Sequence, residues 1–85
     1  MLAADVSGFD LSRDGKRILL QQPHRGSGRA VDLAVISAAG AAPGRVKQFV
    51  EEVDPSSRFA DDAGRHVVYA IVAAGKGGVF LAEVP

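Results

Sequence analysis

Residues 11–20, Leu11-Ser12-Arg13-Asp14-Gly15-Lys16-Arg17-Ile18-Leu19-Leu20, decide how this chain is read. Asp14-Gly15 is hairpin chemistry, because glycine supplies the positive φ that a tight turn demands. Ile18-Leu19-Leu20 then runs apolar without alternation, so this strand wants cover on both faces. The same order returns in Ala60-Asp61-Asp62-Ala63-Gly64-Arg65-His66-Val67-Val68-Tyr69, at an offset of 49 (Gly15 to Gly64). Val31-Asp32-Leu33-Ala34-Val35 likewise lies over Gly78-Val79-Phe80-Leu81-Ala82, at an offset of 47 (Val31 to Gly78). Each unit is a glycine turn, a basic pair, an apolar strand, a Gly-rich loop and a further apolar strand.

Turn-like punctuation recurs at Gly26-Ser27-Gly28, 38–44, Asp54-Pro55-Ser56, 61–64 and 75–78. Between these lie seven short runs rich in Val, Ile, Leu, Phe or Tyr: 6–11, 17–22, 31–37, 45–50, 57–60, 66–72 and 79–84. Such spacing predicts an all-β chain of antiparallel hairpins. One segment points two ways. Val46, Phe49, Val50 and Val53 fall at i, i+3, i+4 and i+7, the stripe of an amphipathic helix that Pro55 would end. Gly44 is a poor helix start and no cap precedes it, which favours a strand. The alternative is a small α+β domain with a helix near 46–53.

A period near 45–50 residues belongs to propellers and other repeat arrays. Residues 9–18, from Phe9-Asp10 through Ser12-Arg13-Asp14-Gly15-Lys16, resemble the Ser-Pro-Asp-Gly-Lys box of TolB-type β-propeller repeats, with Arg13 in the place of proline. Residues 58–69 are similar but more degenerate, with Ala63 where aspartate stands in that box. Asp32-Leu33-Ala34-Val35-Ile36 resembles the family's third-strand element. The resemblance implies about two blades: a first repeat over 5–50 and a second, incomplete one over 56–85, within a single unit 1–85. Similar repeats accompany serine peptidases of the prolyl-oligopeptidase and tricorn types, so a fragment of such a propeller is the alternative. Proteins of the resembled family are often periplasmic.

The second unit reaches Pro85 before any counterpart of the 45–50 strand, so an unpaired strand edge is expected. Two stacked sheets bury one face each and leave two outer faces wet, whereas repeat units need about three or more neighbours. Homo-oligomerisation, or a larger propeller, would complete the fold. Three copies closing into a ring of six blades is the attractive geometry.

Composition narrows the function classes. Ten Lys+Arg balance ten Asp+Glu, and a zero formal charge removes the electrostatic case for a nucleic-acid or anionic-membrane binder. No cysteine is present, so neither disulfides nor a thiolate zinc site can staple 85 residues. A chain this short buries only about 60–65% of its unfolded surface. Its 47% apolar and 24% charged content is nonetheless that of a globular domain. The longest apolar stretch, 67–74, is far below the roughly 18 residues of a membrane span. Met1 to Ala4 is too short for a signal-peptide core, and no targeting segment is expected.

Candidate chemistry is sparse. His24-Arg25-Gly26-Ser27-Gly28-Arg29 is a basic, Gly-rich loop, and His24, Arg25 and Arg29 are the residues that would contact an anionic ligand or a partner. A solvated hairpin loop is the plainer reading. Gly75-Lys76-Gly77-Gly78 lacks the Ser or Thr that must follow the lysine of a phosphate loop. The aspartates show no calcium-loop spacing, and His24 and His66 look too isolated for zinc or for a His–carboxylate pair. No serine sits in a nucleophile elbow. The expectation is a non-catalytic scaffold without a cofactor, binding a protein or peptide partner or its own copies.

Overall fold

The computed structural model describes residues 6–26, 29–37, 47–71 and 77–85. Within them every regular element is a strand. β1 (Gly8–Leu11), β2 (Arg17–Pro23), β3 (Val31–Ser37) and β4 (Lys47–Val53) form a four-stranded sheet in chain order. β5 (Arg58–Phe59), β6 (His66–Ile71) and β7 (Gly78–Glu83) form a three-stranded sheet, also in chain order. All pairings are antiparallel. Each of the seven apolar runs of the sequence contains or overlaps one of these strands.

The helix expected as an alternative near 46–53 does not form; β4 occupies Lys47–Val53. Its helical spacing has a sheet explanation. Val53 pairs Val31 and Val50 pairs Leu33, so three steps along β4 match two along β3. Gln48 then pairs Ala34, so two steps match one. Each mismatch is a β-bulge, and a bulge returns residues three apart to the same face. Val53 is buried, and Phe49 and Val50 pack against the same core. Val46, the first residue of the stripe, lies outside the described residues.

Strand alternation sorts the side chains into faces. On the inner face of the first sheet, Leu19, Val31, Leu33, Val35 and Val53 are buried with Val67 of the second and with Val84, just past β7. Phe59, Tyr69 and Ile71 pack onto that cluster from the second sheet. Burying one such aliphatic side chain contributes roughly 1.5–3 kcal/mol, and this layer joins the sheets. The opposite face of the first sheet carries a second cluster, Leu20, Ala34 and Ile36, with Ile18 against it. Both faces of β2 and β3 therefore bury apolar groups, as the uninterrupted run Ile18-Leu19-Leu20 requires.

The hairpin registers refine the repeat. Ile18 pairs Ile36 in the first sheet, and Val67 pairs Ala82 in the second. With β2 and β6 aligned at 49, β3 and β7 align at 46 (Ile36 to Ala82), not at 47. A one-residue slip moves every side chain to the other face, so this correction changes which residues are equivalent. Leu33 corresponds to Val79, Ala34 to Phe80 and Val35 to Leu81. Leu11 pairs Ile18 and Phe59 pairs Val67, so Phe59 takes the place of Leu11.

Candidate interaction surfaces

The two glycine turns are built alike at the level of atoms. In the first, the Gly15 N–H donates to the Ser12 carbonyl at 2.9 Å, and Gly15 adopts φ 75°. The Ser12 hydroxyl donates to Asp14 Oδ1 at 2.7 Å and accepts from the Arg17 N–H at 3.0 Å. Asp14 Oδ1 also accepts from the Lys16 N–H at 3.0 Å. In the second turn the Gly64 N–H donates to the Asp61 carbonyl at 3.2 Å, with φ 70°. Asp61 Oδ1 accepts from both the Arg65 and the His66 N–H, each at 2.9 Å. Asp61 thus does the work shared by Ser12 and Asp14, which explains how Ala63 can stand where the first turn has an aspartate. The bond from the Ser12 hydroxyl, then that from the Lys16 N–H, holds the Asp14 carboxyl below its usual pKa. At Asp61 the His66 N–H has the same effect and the Arg65 N–H adds to it.

These turns also touch each other across the sheets. Asp14 N–H donates to the Asp62 carbonyl at 3.1 Å, and Arg17 Nη1 donates to the Gly64 carbonyl at 3.3 Å. Asp10 Oδ2 accepts from the Phe59 N–H at 2.9 Å. Gly64 sits at this junction: a Cβ there would lie 3.0 Å from Ser12 Cβ and 3.2 Å from both Arg17 Cβ and Phe59 Cε1. The pair Arg13–Asp62, 3.9 Å apart with both side chains exposed, adds little.

The basic loop predicted from sequence lies between β2 and β3. Arg25 and Arg29 are exposed, while Ser27 and Gly28 lie outside the described residues. His24 is not isolated, contrary to expectation. Its Nδ1 lies 2.6 Å from Asp32 Oδ1, and its Nε2 lies 3.6 Å from Glu52 Oε2. The Asp32 hydrogen bond raises the imidazole pKa against the opposing effect of burial, and the charges of Asp32, Glu52 and Glu51 add to the rise. Asp32 Oδ1 also accepts the Glu52 N–H at 3.0 Å. Glu52, at the β4 bulge, holds the left-handed φ of 58° that non-glycine residues rarely adopt. One buried carboxylate therefore pins the β2–β3 turn to the irregular end of β4. His66 likewise finds Asp61 Oδ2 at 3.6 Å from Nδ1. The partners of His24 are not predictable from chain spacing alone, because a hairpin register and a bulge bring Asp32 and Glu52 in. Among the described residues no group of three or more His, Asp or Glu is placed to hold a metal ion, and no helix is long and apolar enough to cross a membrane.

The most conspicuous surface feature is apolar. Phe9 pairs Leu20 and Leu11 pairs Ile18, so Phe9 and Leu11 share the outer face of the first sheet. They are 72% and 52% exposed. Val79 pairs Ala70 and Leu81 pairs Val68, on the outer face of the second sheet. There Val79 is 75% and Leu81 64% exposed. Each outer face thus presents large side chains at its margin strand, next to further apolar residues. The sequence marked the strand of Ile18–Leu20 as two-sided, but only the register shows which residues remain open.

Comparison of the chain with protein-family models, with curated proteins and with solved structures finds no match.

Proposed function

We propose that this chain is a non-catalytic repeat unit of the β-propeller class, resembling TolB-type repeats, that acts as an interaction scaffold through its sheet faces. The observation that carries this reading is the exposure of Phe9 and Leu11 on one outer face and of Val79 and Leu81 on the other. Contiguous exposed apolar side chains on a soluble surface mark contact sites more often than isolated ones do. The four-strand antiparallel meander with its glycine turn, followed by a second turn of the same bonding pattern, supports the propeller likeness.

The double variant Phe9→Ser with Leu81→Ser tests it. Both side chains are open to solvent, so the substitutions should change folding stability by no more than about 0.5 kcal/mol each. Size-exclusion chromatography at micromolar concentration should show the parent chain self-associating, and the variant eluting as a single chain while keeping its β-type circular dichroism. Identical elution of parent and variant would contradict the scaffold role.

A further inference from the structure

We infer that β7 is the docking edge of this chain and that its partner is β7 of a second copy, paired antiparallel about a two-fold axis. The inference rests on the scaffold reading above and names its partner.

Among the described residues the two sheets have four edge strands, β1, β4, β5 and β7. Three of them are guarded. β5 has two residues and β1 four. β4 carries two bulges, and Lys47, Gln48, Glu51 and Glu52 are exposed along it. Short length, bulges and charge are the means by which an edge avoids pairing. β7 uses none of them. Gly78–Glu83 pairs with β6 without a register shift, holds no proline and bears no charge before Glu83.

The backbone of this edge is open in a definite pattern. The Val84 N–H donates to the Arg65 carbonyl at 2.7 Å, and the Ala60 N–H donates to the His66 carbonyl at 2.8 Å. Bonded positions alternate along each strand of an antiparallel ladder. Gly78, Phe80 and Ala82 therefore turn their backbone groups toward β6, whereas Val79, Leu81 and Glu83 turn theirs outward.

The side chains distinguish a strand alongside β7 from a sheet on top of it. Val79 and Leu81 lie on the outer face. Phe80 lies on the inner face, its ring stacked on Tyr69 with 5.6 Å between centroids, and is still 41% exposed. A sheet laid on the outer face would cover Val79 and Leu81 and leave Phe80 open. A strand laid along β7 flanks all three.

A second β7 fits that place. Paired antiparallel about an axis at Phe80, each Val79 stands opposite Leu81 of the other copy, apolar against apolar. Both residues have outward backbone groups, so each such pair exchanges two hydrogen bonds. The same axis carries the two Glu83 carboxylates to opposite ends of the ladder, whereas a parallel pairing would set them side by side. The zero formal charge adds no net repulsion between copies. β1 of another copy would offer a shorter ladder. The two second sheets then join as one, three strands from each copy, and a two-fold contact of this kind closes at two chains.

Sedimentation equilibrium and amide exchange of the full chain test this together. The parent should level off at twice the 8.8 kDa of one chain. Exchange at the Val79 and Leu81 amides should slow as concentration rises through the association range. Leu81→Pro removes an outward N–H and no bond to β6, at the kind of edge position where strands admit proline. It should stay folded and sediment as one chain. Should it fail to fold, Leu81→Lys keeps the backbone, charges the edge and should likewise sediment as one chain. Phe9→Ser with Leu11→Ser should associate as the parent does. The edge pairing falls, and the scaffold reading stands, if the parent associates while the folded Leu81 variant still does so or while the Val79 and Leu81 amides exchange equally fast at every concentration. Association that depends on Phe9 and Leu11, or a limiting mass above two chains, overturns it in the same way. A parent that stays at the mass of one chain overturns both.

Discussion

At the scale of single residues, His24 is the group whose environment has a measurable consequence. Asp32 bonds it directly and Glu52 approaches its other nitrogen. Its pKa is raised above the ordinary 6.5, by the Asp32 hydrogen bond first. A raised folded-state pKa means that the protonated ring is the favoured form in the fold. Its contribution is complete below the unfolded value and disappears as pH rises through the folded one. The urea midpoint of the parent should therefore fall, relative to that of His24→Gln, as pH rises above the ordinary 6.5. Parallel midpoint curves for the two proteins would show that the Asp32–His24 contact carries no linkage. Asp14 and Asp61 act on a separate acid limb. With lowered pKa values, their contribution is present above the ordinary 3.8 and is lost as pH falls through the folded values.

At the scale of elements, the order and extent of the strands were largely legible. β3 coincides with the predicted run 31–37, and Gly15 and Gly64 adopt the positive φ their turns demand. The stripe in β4 admitted a helix as the alternative because periodicity assumes a regular strand, and the two bulges break that regularity. The repeat offset slipped by one for a related reason: residue similarity aligns Leu33 with Phe80, whereas hydrogen-bonded register aligns Ala34 with it. The carboxylate partners of His24 and the openness of Leu11 and Leu81 depend on register, which no local pattern carries. The two turn glycines make the difference between local and tertiary constraint testable. Gly15→Ala meets no atom within 4 Å, so it should cost only the left-handed backbone penalty, about 1–2 kcal/mol. Gly64→Ala adds a Cβ crowded against Ser12, Arg17 and Phe59 and should cost ~2–4 kcal/mol. Equal thermal shifts for the two variants would mean that the turns do not press together across the sheets.

At the scale of the whole molecule, the Cα envelope measures 44 × 26 × 16 Å. Its thinnest dimension leaves room for the single side-chain layer between two sheets, which ordinarily lie about 10 Å apart. That layer holds the main core of a chain with no cysteine to cross-link it. The second sheet has no fourth strand among the described residues, and β7 pairs only with β6. The exposed apolar side chains at the margins of this slab, Phe9 and Leu11 on β1 and Val79 and Leu81 on β7, are surfaces that association would cover. Sedimentation equilibrium of the full chain over a micromolar concentration series tests that association most directly. The weight-average mass should rise above the 8.8 kDa of one chain and level off at a whole-number multiple of it. A folded, cooperatively melting protein that stays at the mass of one chain throughout the series would contradict it.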